Sequence, residues 1–182
     1  MPARLLSSSA CRHGVVSAAV AVTFVLLATP DLAARRHKAH ESHAAHRTQF
    51  ARAEQMRDAL ESRPEGERTQ AEYEHVLDAY RAVYHGNPAD RKAPEAVNMV
   101  AGLLAEKGRI FDHDKTLLSA VEQFEFLREQ YPASPYVASA LLAEATIYLH
   151  DLHDPAAAQG AYEEFLKSYP HDPLVAQARA GL

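Results

Sequence analysis

Tyr131-Pro132-Ala133-Ser134-Pro135 and Tyr169-Pro170-His171-Asp172-Pro173 are one turn written twice, 38 residues apart. Working outward from that pair, Phe124 falls level with Tyr162, Leu127 with Phe165, Val137 with Val175 and Ala140 with Ala178. An earlier copy stands 44 residues upstream. It places Tyr80 on Phe124, Val83 on Leu127, Pro88 on Pro132, Ala96 on Ala140 and Ala101 on Ala145. Self-similarity at such a period marks a stacked array of small units, which tolerates insertions in its loops. The six extra residues of the middle copy are therefore expected as a loop around Ile110-Phe111-Asp112-His113-Asp114, between that copy's two helices.

Each unit has the spacing of helices. Phe50, Ala53, Met56 and Leu60 form a thin apolar stripe ended by Pro64 and Gly66, and Val76, Tyr80, Val83 and Tyr84 form another ended by Gly86-Asn87-Pro88. Pro94 opens a helix with Val97, Val100, Ala101 and Leu104, expected to close at Gly108. Leu117, Ala120, Val121, Phe124, Leu127 and Tyr131 follow, stopped at Pro132. Then come Leu141, Ala145, Tyr148 and Leu149, and finally Ala158, Tyr162, Phe165 and Tyr169 before Pro170. Steps of three and four are helical, and no strand-type alternation interrupts them. The fold class is all-α: about three helix pairs stacked as an α-α superhelix over 47–182. A helix pair with one apolar face cannot hide it alone, so the copies bury it between them. The tyrosines of the two Tyr-Pro turns are expected to plug that packing. Leu174, Val175, Ala178 and Leu182 are expected to cap Tyr162 and Phe165 at the end.

This spacing resembles the tetratricopeptide repeat. That family sets a small residue early in the second helix, an aromatic four on, a packing residue three later and Pro five beyond. The matching quartets are Val76/Tyr80/Val83/Pro88, Ala120/Phe124/Leu127/Pro132 and Ala158/Tyr162/Phe165/Pro170, with Ala101/Leu104 and Ala145/Tyr148 as first-helix pairs. The chain departs from the pattern in Val76 and in having no Trp. Such arrays usually bind with first-helix residues. With Ala101 and Ala145 as packing positions, the resemblance puts Glu95, Asn98, Gly102, Ser139, Leu142 and Thr146 on a partner-binding face. That set has no pair of basic residues to clamp a terminal carboxylate, and its small and apolar members suit an extended peptide or a helix.

The blocks EFLREQYPASPY (125–136) and EEFLKSYPHDP (163–173) also look like those of periplasmic envelope-assembly repeat proteins of Gram-negative bacteria. The stretch from Tyr80 onward is similar to the repeat segment preceding N-acetylmuramoyl-L-alanine amidase domains. This resemblance implies a cell-wall setting and a protein or peptide partner. It leaves one alternative: that the chain is the repeat portion of such an amidase, with the catalytic part beyond Leu182.

Residues 1–34 have the order of an export signal. Arg4, Arg12 and His13 are basic, Val15 to Ala28 are apolar, Pro30 breaks the run, and Leu32-Ala33-Ala34 offers small residues for cleavage. The apolar run is shorter than the roughly 20 residues of a membrane span, so membrane contact is expected only through this segment if it stays uncleaved. Cys11, the single cysteine, precedes the run, where a lipoprotein cysteine would follow it. Arg35-Arg36 lies behind it, so it is not a twin-arginine signal. The expected compartment is the periplasm or another exported site.

Formal net charge is −5 for the whole chain. Beyond residue 52 there are 12 basic and 22 acidic side chains, and an acidic body repels phosphate backbones, which argues against nucleic acid as a partner. The sequence has no H-E-x-x-H, no G-x-S-x-G and no P-loop, and no pattern that asks for a cofactor. It therefore reads as a binding protein and not an enzyme. Glu122, Glu125, Glu129, Glu163 and Glu164 sit opposite the apolar stripes, on solvated faces. His37, His40, His43 and His46 recur every three residues in a basic linker, 35–46. On a helix His37 and His46 would end on opposite sides, so four histidines do not converge on one ion. His150-Asp151-Leu152-His153-Asp154 has ligand types too, at a helix end running into Pro155, where polar turn residues are expected.

Overall fold

The computed structural model describes residues 48–182; the expected signal segment 1–34 and the expected linker 35–46, with His37, His40, His43 and His46, lie outside the described residues. The described chain is all-α. Residues 48–61 form α1. A short 3-10 turn at Glu65–Glu67 leads into α2 (Gln70–Gly86), followed by α3 (Ala93–Ile110) and α4 (Asp114–Gln130). Next come α5 (Val137–Thr146) with a π-helical extension Ile147–Asp151, α6 (Pro155–Ser168) and α7 (Val175–Ala180). From α2 on, each helix packs against the next.

Two of the helices, α2 and α6, start where a side chain satisfies a free amide. Thr69 and Glu72 form a reciprocal capping box on α2, each bonding the other's backbone N–H. Asp154 accepts from the Ala157 amide at 3.0 Å, and Pro155 at the first position of α6 has no amide to leave unpaired.

The repeat is written in the backbone as well as in the sequence. Helices α2, α4 and α6 end identically, on Asn87, Tyr131 and Tyr169, whose amides bond Val83, Leu127 and Phe165 carbonyls. Three residues on, the amides of Asp90, Ser134 and Asp172 return to the carbonyls of those same three residues. The side chains of Asp90, Ser134 and Asp172 then accept from the amides of Lys92, Tyr136 and Leu174 at 2.8, 3.2 and 2.8 Å, turning the chain into the next helix. Tyr131 also ties successive turns together, its hydroxyl donating to the Pro88 carbonyl at 3.1 Å.

Burial follows the same register. All nine helix residues of the three quartets, from Val76 to Phe165, are buried. Tyr73, Val76, Leu77, Tyr80 and Val83 of α2 superpose in sequence on Leu117, Ala120, Val121, Phe124 and Leu127 of α4, and all ten are core. Ala93, Ala96, Val97, Val100 and Ala101 of α3 likewise match Val137, Ala140, Leu141, Glu144 and Ala145 of α5. The one chemical mismatch is a carboxylate, Glu144, where α3 has Val100. Tyr131 and Tyr169 are half-buried, and Tyr169 lies 5.4 Å from the Phe165 ring.

Three local expectations are corrected. The six extra residues are not a loop: both hairpins turn through three residues, Phe111-Asp112-His113 and Leu152-His153-Asp154. Measured between equivalent start positions, the arms of the α3/α4 pair are each three residues longer than those of α5/α6, so the insertion is helix on both sides. Both turns use a left-handed second residue, Asp112 (φ 50°) and His153 (φ 53°), the usual way to stop a helix. In the first, the His113 amide reaches the Gly108 carbonyl at 2.8 Å and that of Asp112 reaches Arg109. Gly108 itself does not close α3, which runs on to Ile110. Its role is close approach, since a Cβ there would stand 2.7 Å from Leu117 Cγ on α4. At the far end Ala178 is buried and Leu174 and Val175 pack with it, but Leu182, 59% exposed, stands outside that cluster.

Candidate partner-binding groove

The face shared by the first helices of successive pairs is not filled. Between α3, α5 and α7 lies an open groove of about 400 Å³. Gly102, Ser139, Leu142 and Thr146, four of the six residues nominated from the sequence, line it together. They meet because 102, 139, 142 and 146 fall on matching faces of two helices set by the same turn.

Glu95 and Asn98 do not join them. Both are half-buried on the N-terminal part of α3, and Glu95 is held by Lys92 at 2.6 Å, one turn back on its own helix. Leu142 is nearly covered, and so belongs to the groove floor more than to its rim.

Sequence reasoning missed the far rim. Arg109 comes from the lengthened end of α3, and Leu174 and Gln177 from α7. The first depended on reading the insertion as helix. The second required α7 to be a wall, where the sequence suggested only a cap over Tyr162 and Phe165. Arg109 is engaged by the Asp151 carboxylate through Nη2 and Nε at 2.8 and 2.9 Å, so the α3 and α5 ends are tied across the groove mouth.

The groove's polar groups are mostly spoken for by their own helices. Ser139 Oγ donates to the Tyr136 carbonyl at 2.9 Å and Thr146 Oγ1 to that of Leu142 at 2.8 Å. Gly102 leaves a stretch of helix backbone bare, and no atom would lie within 4 Å of a Cβ placed there. A glycine inside a helix destabilises it by about 0.5–1 kcal/mol relative to alanine. No packing contact explains it at this position.

The carboxylates assigned to solvated faces, Glu122, Glu125, Glu129, Glu163 and Glu164, are exposed. Among the described residues no three His, Cys, Asp or Glu side chains gather as a metal site. None of the described helices is long and apolar enough to cross a membrane. No family model matches the chain, and no curated protein matches it.

Proposed function

We propose that this chain is an exported tetratricopeptide-type scaffold that binds an extended segment of a protein partner in the α3/α5/α7 groove, in a bacterial cell-envelope setting. The observation that carries the reading is the groove itself. It is built by first helices at one repeat register and holds Gly102, Ser139, Leu142 and Thr146 on a common surface. Its walls are chiefly apolar or small, with Leu142, Ile147 and Leu174 beside the open backbone at Gly102. Such a surface takes a peptide through side-chain burial and close backbone approach, without a basic clamp for a chain terminus. The basic–apolar–small order of residues 1–34 supports export.

Gly102 makes the test clean, because space around it lets a large side chain enter the groove without disturbing the core. A photo-crosslinking amino acid at Ser139 should capture a discrete partner in the native envelope. The same probe at Gln159, on exposed α6, should not. Gly102→Trp should abolish the Ser139 adduct while leaving the melting temperature within a few degrees of wild type. Equal capture from both positions, or capture unaffected by Gly102→Trp, removes the groove from the function.

A further inference from the structure

We propose that the Glu144–Arg128–Glu164 cluster, in which Glu144 is buried, makes the α5/α6 pair a proton-sensitive joint, closed while Glu144 is neutral and loosened as the medium turns alkaline. The inference is independent of what the groove binds.

Glu144 occupies a core position of the repeat, level with the fully buried Val100, and is itself only 3% exposed. Its Oε2 accepts from Arg128 Nη1 at 2.8 Å, whereas its Oε1 is buried with no hydrogen-bond partner. Arg128 is shared: its Nη2 donates to Glu164 on α6. One guanidinium from α4 thus holds two carboxylates, one from each arm of the following pair, and both cannot be fully neutralised by a single charge.

The other groups facing the site push the same way. Glu125 on α4 and Glu164 on α6 both disfavour a second negative charge at Glu144. Tyr148, four residues along the α5 extension, feels the Glu144 charge in turn, and Tyr169 acts on Arg128. Burial is the largest effect, opposed by Arg128, and together these raise the Glu144 carboxyl from its usual 4.5 to about 7. A carboxyl whose folded value lies above its unfolded one stabilises the fold fully only below the unfolded value. That stability is lost as pH rises through about 7. Above that point the joint must hold an ionised carboxylate with an orphaned oxygen, or open to hydrate it. Because α5 also carries Leu142 and Thr146, opening the joint moves one groove wall.

Thermal melting of the full chain from pH 5 to pH 8 tests this against Glu144→Gln, which keeps the shape and stays neutral. The wild-type midpoint should fall relative to the variant as pH rises. The equivalent change in the wild-type open-to-closed ratio is about one to two orders of magnitude across that range. Glu164→Gln frees Arg128 for Glu144, which brings the folded Glu144 value down, so the wild-type fall should become smaller and be complete at lower pH. Parallel midpoints for wild type and Glu144→Gln at every pH overturn the proposal. A second readout needs no variant to fold. In a chain carrying ¹³C-labelled glutamate carboxyls, one resonance should titrate near neutrality, and its absence, with all glutamates titrating in the ordinary range, also overturns it.

Discussion

Gly181 lies directly against the ring of Tyr162: a Cβ at 181 would stand 2.6 Å from the tyrosine hydroxyl oxygen and closer still to its ring carbons. The end of α7 is thus the lid on an aromatic of α6, and the lid has no room for a methyl group. Gly181→Ala should destabilise the chain by about 1–3 kcal/mol, the usual effect of overpacking. Gly160→Ala, in the open on α6, should instead stabilise it by about 0.5–1 kcal/mol. Denaturant titration of both variants checks the pair, and equal effects would mean that α7 does not rest on Tyr162.

The two phenylalanines of α4 should behave oppositely. Phe124 is 5% exposed in the core, while Phe126 is 37% exposed on the outer face. Phe124→Ala is expected to cost about 3–5 kcal/mol, a large share of a domain's whole margin of roughly 5–15 kcal/mol. Phe126→Ala should stay within about 1 kcal/mol, losing mainly its contacts with the Tyr84 and Tyr131 rings at 6.2 and 6.5 Å. An unchanged melting point for Phe124→Ala would refute the helix register.

The α2 capping box gives a pH-dependent prediction of the opposite sign to Glu144. The Thr69 backbone amide, then its hydroxyl, hold the Glu72 carboxyl below the usual range. A depressed acid contributes stability above its unfolded value and loses it as pH falls through the folded one. Thr69→Ala should cost about 1 kcal/mol at neutral pH. Its deficit relative to wild type should shrink on acidification, as protonation of Glu72 removes the bond that the Thr69 hydroxyl makes to its carboxylate. A deficit that grows on acidification would contradict the cap.

Much of this was legible in advance because the repeat supplied its own alignment. Tyr80, Phe124 and Tyr162 could be placed in the core from three concordant copies, and Gly102 and Thr146 on one face by the family resemblance together with helical spacing. What stayed hidden depended on contacts between copies. The six-residue difference looked like a loop because a stacked array tolerates insertions in its loops. Only the helix ends show that the added length went into both arms. Glu144 could have been flagged, since it stands level with Val100, but its ion partner Arg128 lies on a different helix and no spacing rule joins them.

The proposed export carries a further prediction, on residues outside the described structure. Protein recovered from its native envelope should begin near Arg35, as read by mass spectrometry of the intact chain. An N-terminus still at Met1 in a membrane fraction would replace cleavage by anchoring.

The matched lengthening of α3 and α4 bears on how such a chain can change over time. Three residues added to one arm alone would shift its end by roughly 4.5 Å and swing the next face about 60° short of a full turn. Added to both antiparallel arms, the shifts cancel at the hairpin base, and the turn from Tyr131 to Val137 keeps the hydrogen bonds of its neighbours. Unequal copies therefore share interchangeable joints. A recombination that cuts at one Tyr-Pro turn and rejoins at another would delete or duplicate a whole unit without leaving a mismatched seam.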